Sequence, residues 1–245
     1  MACDTCGMND EVAAPTYAGY RFPAASIGHA VWRSFRCALG YRDVEELLAA
    51  RGVSVTDETV RQWCQKCGQA YANALRRRRP RPGDTWHLDA VFMRIGGVTH
   101  YRWRAVAQQG DILDILVQSR RDTAAAMRSL RQLLQGAADV PRVLITDKLA
   151  RDGAAQRDLL PSVEHRRHTG LNNRAENAHQ PTSERERRMR RFTSPGHAQR
   201  CLAADGPLAG YCRPRRHRLA AAAYRATRHE RFATWREVTG MSATA

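Results

Sequence analysis

The chain has 245 residues, and its 40 Lys and Arg residues against 24 Asp and Glu residues give a formal charge of +16 at pH 7. This length suggests one or two domains, and a hydrophobic content of 43% is enough for a packed core. A positive excess of this size favours a polyanionic partner, nucleic acid first. No apolar run approaches the ~20 residues of a membrane span, and no secretory signal is visible, so we expect a cytoplasmic protein with no membrane partner.

The chain contains seven cysteines, at positions 3, 6, 37, 64, 67, 201 and 212. In a reducing cytosol we expect most of them to be free thiols. The pairs Cys3/Cys6 and Cys64/Cys67 have the spacing of zinc ligands, but the second pair falls on the apolar face of a predicted helix. No His or Cys near either pair completes a compact site. We therefore expect no zinc.

Residues 1–20 contain three acids, no basic residue and little periodicity, which predicts a disordered tail. Apolar residues then recur at helical spacing in three stretches, at residues 24–39, at residues 42–50 and from Thr56 onward. Thr56 is a good N-cap residue, and Pro80 and Pro82 end the third helix and make a stiff linker. Residues 21–82 are thus predicted to form an all-α domain that ends in a basic linker.

A helix, a glycine turn and a longer helix form the pattern of a helix-turn-helix DNA reader. On the outer face of the third helix, Gln62 and Gln65 suit adenine edges, and Arg61 and Lys66 suit guanine or phosphate. An ordinary three-helix bundle with a solvated face fits this pattern equally well. DNA binding is favoured because residues 61–82 contain no acid and include the basic run Arg76, Arg77, Arg78 and Arg79.

Residues 84–95 are rich in aromatic and β-branched side chains that alternate between two faces, which predicts a strand. Asp89 places one carboxylate in the middle of this run, and burying it without a partner is costly. The plain interpretation is a lone acid on a solvated sheet face. Two shorter strands, at residues 100–106 and 111–118, follow glycine turns, so we predict an antiparallel meander.

A helix from Asp122 to Gln135 follows the predicted meander. The next run, residues 141–146, is short and almost entirely apolar, and Asp147 stands at its end. An apolar run of this kind after a crossover helix is typical of a central parallel strand.

A further short strand is expected at residues 162–165, and Asn172 or Asn173 can cap a last long helix at residues 174–191. Three antiparallel strands, a helix, a parallel strand and further helices follow the order of the ribonuclease H fold. We therefore predict an α/β domain at residues 83–195. It has a ribonuclease-H-like mixed five-stranded sheet with flanking helices, and it is preceded by the all-α helix-turn-helix domain.

In that fold the fourth strand lies beside the first, so Asp89 and Asp147 are expected to be near neighbours at one sheet edge. Two carboxylates in contact repel strongly unless a cation lies between them, and Mg²⁺ suits carboxylate and phosphate oxygens. A third acid is expected from the last helix, and Glu176 lies in its first turn. Other acids are discounted because they lie on the third strand, at the sheet edge, or beside two arginines, namely Asp111, Asp114 and Glu164.

Five segments of the sequence resemble the IS6 family of insertion-sequence transposases, in order and from about residue 20 to residue 240. They are residues 41–48 (YRDVEELL), 86–89 (WHLD), 145–149 (ITDKL), 172–177 (NNRAEN) and 213–217 (RPRRH). The resemblance implies a DDE triad of catalytic and metal-binding residues at Asp89, Asp147 and Glu176. It also implies Mg²⁺, with Mn²⁺ as a substitute, and double-stranded DNA as the partner, both as terminal inverted repeats and as target. Metal-dependent cleavage and strand transfer, by copies assembled on DNA, are the expected activity.

Departures from the family pattern keep other functions open. Ala90 stands where an acid usually follows the first aspartate, residues 151–152 replace a small-aromatic pair, and residues 205–207 (Asp-Gly-Pro) interrupt an expected hydrophobic helix. A catalytically decayed copy that only binds DNA is one alternative. A ribonuclease-H-like nuclease that cuts without strand transfer is another.

Several basic residues near the predicted site are candidates for DNA contacts. Lys148 follows the second aspartate, and His179 shares the helix face of Glu176 because it lies three residues further on. The basic run at residues 185–191 is either a solvated helix face or a track for the DNA backbone, and the adjacent site favours the track. Its candidate residues are Arg187, Arg188 and Arg191. Residues 196–245 are predicted to be a C-terminal basic helical extension.

Overall fold

The computed structural model describes residues 17–37, 39–78, 81–137, 140–147, 157–167, 192–211 and 219–241, together with residues 172, 175, 179, 183, 186 and 187. The helices are α1 (Ala24–Arg36), α2 (Tyr41–Ala49), α3 (Asp57–Arg77), α4 (Thr123–Gln135), α5 (Pro195–Tyr211) and α6 (Ala221–Val238). The strands are β1 (Thr85–Ile95), β2 (Val98–Ala107), β3 (Ile112–Gln118), β4 (Val143–Thr146) and β5 (Glu164–Arg167). Five predicted site residues lie outside the described residues, namely Arg79, Lys148, Glu176, Arg188 and Arg191. Most of the predicted tail lies outside them as well.

The five strands form one mixed sheet in the order β3-β2-β1-β4-β5. β1 pairs with β2, and β2 with β3, in antiparallel fashion, while β4 is parallel to both β1 and β5. This is the predicted ribonuclease-H-like sheet, and the fold prediction is confirmed. The tight turn between β1 and β2 uses Gly96 and Gly97 with φ of +57° and +82°, a region that favours glycine.

The alternation of side chains along β1 assigns its residues to two different cores. Trp86, Leu88 and Ala90 pack against α4 on one face of the sheet. Met93 and Ile95 lie on the other face, in a second core that includes residues of α5. Asp89 has the same parity as this second group, so it belongs to the face that α5 covers.

The three predicted N-terminal helices are present, and the cap of the third is the one expected from the sequence. The hydroxyl of Thr56 accepts from the N–H of Thr59 at 3.3 Å at the start of α3. Asp122 caps α4 in the same way, accepting from the N–H of Ala125 at 2.7 Å. Within the described chain, no helix has both the length and the apolar character needed to cross a membrane.

The C-terminal helices complete the core of the N-terminal helices. Ala204 and Leu208 of α5, and Trp235 and Val238 of α6, are buried in the same cluster as the apolar residues of α1, α2 and α3. α5 also packs on β3, where a Cβ on Gly206 would lie 3.0 Å from Cγ2 of Ile112. α5 therefore joins the helical part to the sheet, and the domain boundaries drawn from the sequence stay a prediction.

Candidate functional site

Asp89 and Asp147 occupy adjoining positions on two neighbouring parallel strands. The last residue pair in register between β1 and β4 is Leu88 with Thr146. Asp89 is the next residue of β1, and Asp147 directly follows the end of β4. Neighbouring strands lie about 4.8 Å apart. The side chain of Asp89 is 10% exposed, and Asp147 is half-buried. The structure thus brings together two of the three predicted acids, whereas Glu176 is outside the described residues.

The carboxylate of Asp89 has two close contacts. Its Oδ1 accepts a hydrogen bond from the N–H of Ala90 at 2.8 Å, and its Oδ2 lies 3.3 Å from Nε2 of His179. Burial raises the pKa of Asp89, but His179, the Ala90 N–H and the charge of Arg121 outweigh burial, so the pKa lies below its ordinary value. Asp89 is therefore ionised at neutral pH, with oxygen acceptors for a cation.

His179 is 5% exposed, and Arg102 holds it from the other side. Nε of Arg102 donates to Nδ1 of His179 at 3.1 Å, so the neutral ring carries its proton on Nε2, the atom close to Asp89. That N–H is not aligned as a full hydrogen bond, so its contact with Asp89 is mainly electrostatic. Burial lowers the pKa of His179 to about 4, and the charges of Arg104 and Arg102 act in the same direction. The contact of His179 with DNA stays a prediction, and its partners here lie inside the protein.

Two buried arginines lie on β2, on the face that carries Asp89. Arg102 and Arg104 are 2% and 0% exposed, and Arg104 is the direct cross-strand partner of Asp89. Burial lowers the pKa of Arg104 to about 9, the charge of Arg102 adds to this, and the charges of Asp205 and Asp89 oppose it. Burial also lowers the pKa of Arg102, against the charges of Glu186, Asp205 and Asp89. The charges of buried arginines and acids therefore balance one another next to Asp89 and Asp147.

This arginine pair was not predicted, although the sequence contains a signal for it. Arg102 and Arg104 stand two residues apart in an otherwise apolar and aromatic strand. The same pattern singled out Asp89 on β1. Charges on alternate positions of one strand share a face, so two neighbouring strands with such charges indicate a buried polar network.

Asn172 ties the segment that precedes Glu176 in the sequence to β1. Its side chain is 0% exposed, and its Nδ2 donates to the carbonyl of Leu88 at 3.1 Å. Its own carbonyl accepts from the N–H of Ala175 at 2.9 Å. The side chain of Asn172 thus binds the strand next to Asp89, which spacing along the sequence does not reveal. Its role as a helix cap stays a prediction.

Two of the three competing acids are engaged elsewhere. Oδ2 of Asp114, on the edge strand β3, accepts from Nε2 of Gln132 in α4 at 2.7 Å. Glu164 forms an ion pair with Arg166 at 2.7 Å. The reasons for discounting both acids are confirmed, because β3 is an edge strand and Glu164 pairs with an arginine.

The predicted DNA-reading face of α3 is on the surface. Gln65 and Lys66 are exposed. Glu58 engages the other two predicted readers, since Nε of Arg61 donates to it at 2.6 Å and Nε2 of Gln62 at 3.2 Å. A DNA strand at this face has to compete with Glu58 for both side chains.

The basic run at the end of α3 is divided between the interior and the surface. Arg76 is half-buried, and its Nη2 donates to a main-chain carbonyl of α5 at 2.7 Å. Arg78 forms an ion pair with Glu237 of α6 at 2.7 Å, while Arg77 is exposed. In the second predicted track, Arg187 is exposed. Arg77 and Arg187 are thus the more accessible to a phosphate.

Metal-binding residues are only partly described. In the part of the chain that the structure describes, no group of three or more His, Cys, Asp or Glu side chains could hold a metal ion. Cys64 and Cys67 are buried in the helical core, and Sγ of Cys67 lies 3.8 Å from the hydroxyl of Tyr20. Cys3 and Cys6 lie outside the described residues, so the absence of zinc stays a prediction.

A protein-family model matches the part of this chain that contains the sheet, α4 and most of α5. A family model described as a DDE domain, that of IS240-type transposases, matches residues 83–206. The transposase for insertion sequence element IS257 in transposon Tn4003, from Staphylococcus aureus, is 31% identical over 119 residues, which is 49% of this chain and 53% of that protein. The transposase for insertion sequence-like element IS431mec, from S. aureus strain Mu50, is 30% identical over the same coverage. The chain thus spans about half the length of the curated relatives it matches.

Two solved structures to which this chain is similar are catalytic domains of an integrase and of a transposase. The HTLV-2 integrase catalytic core domain in complex with magnesium, in its trimeric form, is 10% identical with a TM-score of 0.39, over 58% of this chain and 93% of that one. The Mos1 transposase catalytic domain with Raltegravir and Mg is also 10% identical with a TM-score of 0.39, over 73% of this chain and 96% of that one.

Proposed function

Because the chain belongs to the IS6 family of DDE transposases, we propose that it is a metal-dependent enzyme that moves an insertion sequence. It binds the terminal inverted repeats of the element, cuts the DNA there and joins the cut ends to a target duplex. The observation that carries this proposal is the placement of Asp89 and Asp147 at adjoining positions on β1 and β4. Two adjoining carboxylates on neighbouring strands repel each other unless a cation lies between them.

The oxygen ligands that Asp89 and Asp147 offer fit a divalent metal ion. Asp89 is ionised and its carboxylate oxygens are hard ligands, as are those of Asp147, so the pair suits Mg²⁺ or Mn²⁺. Asp89, Asp147 and Glu176 are the residues that would hold it. When bound, such ions activate the attacking water or 3′-hydroxyl and stabilise the leaving oxygen in an in-line displacement at phosphorus.

The residues of the chain itself supply position and charge. The Ala90 N–H and His179 fix the carboxylate of Asp89, and Arg102 fixes the imidazole in turn. Arg104, directly across from Asp89, adds a buried positive charge that favours the ionised carboxylate. The site therefore holds one acid ligand in a fixed position before DNA arrives.

DNA binding is assigned to the basic surfaces. The outer face of α3, with Gln62, Gln65, Arg61 and Lys66, is proposed to read the ends of the element. The runs Arg76–Arg79 and Arg187–Arg191, with Lys148, are proposed to contact phosphates of the ends and of the target. We place Arg76 last in this set because its guanidinium is bonded to α5. Several copies are proposed to assemble on the DNA, in the bacterial cytoplasm at the nucleoid.

The two alternatives differ from this proposal in what they do to DNA. A decayed copy binds DNA and leaves it intact, and a nuclease cuts without joining. The test is incubation with a labelled duplex that carries the element's own end, an unlabelled target duplex and Mg²⁺ or Mn²⁺, with EDTA as control, read on a sequencing gel. Transposase activity predicts cleavage at the element's boundary and longer, joined products. Cleavage without joined products would indicate a nuclease. DNA that stays intact would indicate a protein that only binds it.

A further inference from the structure

Two arginines converge on one neutral histidine at the end of α1. Nε of Arg33 donates to Nε2 of His29 at 2.6 Å, and Nη1 of Arg51 lies 3.4 Å from the same nitrogen. Burial lowers the pKa of His29, and the charges of Arg33 and Arg51 lower it further, so the ring is neutral at pH 7. Two positive charges are therefore held together with only a neutral acceptor between them.

The middle of α1 lies beside the second half of α6. The rings of Trp32 and Phe232 are 5.7 Å apart, and a Cβ on Gly28 would lie 3.2 Å from Cβ of Thr239. As residue numbers increase along α1, the contacting residue numbers of α6 decrease, so the two helices run antiparallel. The C-terminal end of α1, with Arg36, continues toward the start of α6.

The start of α6 stands out from the protein and is basic on one face. Eight of the ten residues from 221 to 230 are exposed. Arg225, Arg228 and His229 follow an i, i+3, i+4 spacing, which places them on one side of the helix. The guanidinium of Arg228 lies over the ring of Phe232, 5.8 Å from its centroid, so Arg228 is oriented toward the contact with α1.

These arginines have no acidic partner among the described residues. Arg42, Arg61, Arg78 and Arg166 each lie within 4.0 Å of a carboxylate. In the same part of the chain, none of the following has such a contact: Arg33, Arg36, Arg51, Arg225 and Arg228. The helix dipole accounts for Arg33 and Arg36, at the C-terminus of α1. The dipole of α2, which ends at Ala49, favours Arg51 in the same way. No helix C-terminus accounts for Arg225 and Arg228, which lie in the first half of α6.

We propose that these five arginines form a binding surface for the phosphodiester backbone of duplex DNA, the α1–α6 basic surface. Guanidinium groups suit phosphate oxygens, and an anion between Arg33 and Arg51 relieves their repulsion. Contacts between arginine and phosphate carry no sequence information, so we expect this surface to bind DNA of any sequence. The proposal rests on the proposed function in that its ligand is DNA.

The test is the salt dependence of binding to a random-sequence duplex of about 30 base pairs, followed by fluorescence anisotropy. The variant is R33A/R51A, and the matched control is R42A/R166A, which removes the same charge from two arginines already paired with acids. Each lost phosphate contact lowers the slope of log K against log salt by about 0.9. R33A/R51A should lower it by about 1–2, and the control should leave it unchanged.

Equal slopes and affinities for variant and control would overturn the α1–α6 basic surface. R225A/R228A, whose side chains are exposed, gives the same comparison if R33A/R51A fails to fold. A wild-type protein that does not bind DNA at all would instead overturn the proposed function, so the two failures are distinguishable.

A second inference rests on the buried contacts of His179, and it too depends on the proposed function. Its Nδ1 is fixed by Arg102 and its Nε2–H faces Asp89. Ser183, one turn further on, donates to the carbonyl of His179 at 3.1 Å and lies 3.5 Å from Nη2 of Arg102. We infer that His179 is a positioning residue that holds the carboxylate of Asp89 for metal binding. Removing such a support typically lowers metal affinity 10–100-fold.

Two amide variants separate this role from a structural one. The amide of Gln reaches the position of Nε2, so H179Q keeps a donor to Asp89. The amide of Asn reaches only the position of Nδ1, so H179N keeps the acceptor for Arg102 and loses that donor. Mn²⁺ binding, measured by calorimetry at pH 7, should weaken 10–100-fold in H179A and H179N and recover most of its strength in H179Q. H100A, which removes another buried histidine, on β2 near its turn with β1, is the matched control and should bind as wild type does.

Normal Mn²⁺ binding by a folded H179A, or recovery in H179N but not in H179Q, would overturn the positioning role. If H179A does not fold, the two amide variants alone decide. D89N is included because its failure to weaken binding would contradict the proposed metal site itself.

Discussion

Replacement of Asp205 by Asn removes one negative charge from the buried network between α5 and the sheet. Asp205 is 5% exposed and belongs to α5. Its charge raises the pKa of Arg102 and of Arg104, which are 2% and 0% exposed. The variant keeps the size of the side chain, so its main effect is to remove part of the negative charge that balances the two buried arginines.

The expected loss follows from this burial. Breaking a buried ion pair by removal of one partner destabilises a protein by about 3–5 kcal/mol. Since domains of ordinary size are stable by about 5–15 kcal/mol, this is a large fraction of the total. With a urea m-value near the upper end of the usual range of about 1–3 kcal/mol per molar, the midpoint should fall by about 1–2 M.

The assay is urea unfolding followed by tryptophan fluorescence, because Trp86 and Trp103 are each 1% exposed in the sheet core and report its opening. The control is Glu237→Gln, which breaks the ion pair with Arg78 at the surface. That change should cost at most about 1 kcal/mol. A midpoint for Asp205→Asn as close to wild type as that of the control would refute the charge-balance argument.

Three further outcomes are expected. Replacing Arg77, the accessible residue of the basic run, by Ala should lower the slope of log K against log salt by about 0.9 on all DNA. Replacing Gln62 and Gln65 by Ala should reduce only the preference for the element's ends, and an unchanged salt slope for the Arg77 variant would show that this residue does not contact DNA. Because the pKa of His179 is about 4 when folded and 6.5 when unfolded, its contribution to stability is complete above pH 6.5 and is lost as the pH falls towards 4, and H179Q should flatten that part of a pH series of urea unfolding. Elemental analysis of the purified protein should find no stoichiometric zinc, and one zinc per chain would contradict this.

The strand order could be predicted from the sequence because it depends on local patterns. Alternation along residues 84–95, glycine turns and an apolar run after a helix each report a nearby physical constraint. The right-handed crossover rule then allows few arrangements of such elements. Asp89 and Asp147 were placed together for the same reason, since the register of two parallel strands fixes which residues adjoin.

The distant partners of charged side chains could not be predicted, because they depend on contacts between segments far apart in the sequence, whereas the local pair of Glu164 with Arg166 could. His179 was assigned to DNA from its spacing to Glu176, yet its described contacts are with Asp89 and Arg102 inside the protein. Arg76 belonged to a basic run, yet it bonds to α5. In both cases the partner lies far away in the sequence, on β2 for His179 and on α5 for Arg76.

Residues 205–207 show how a departure from a family pattern can have a structural reason. Asp205 faces the arginines of β2, and at Gly206 an added Cβ would crowd Ile112 at 3.0 Å. α5 remains helical through Pro207. The helix is thus continuous where the sequence suggested an interruption, and this segment gives no support to decay of the enzyme.

Asp89, Asp147 and Glu176 are proposed to act together on DNA. We would measure strand transfer by Asp89→Asn, Asp147→Asn and Glu176→Gln proteins on a duplex with the element's own end. Asp114→Asn and Glu164→Gln serve as controls, because those acids are engaged with Gln132 and Arg166. Each triad variant should fold and bind the end, and should lose cleavage and joining by orders of magnitude, as when a group that acts only in the transition state is removed. The controls should stay near wild type. A Glu176→Gln protein that joins ends at a near-normal rate would contradict the DDE assignment.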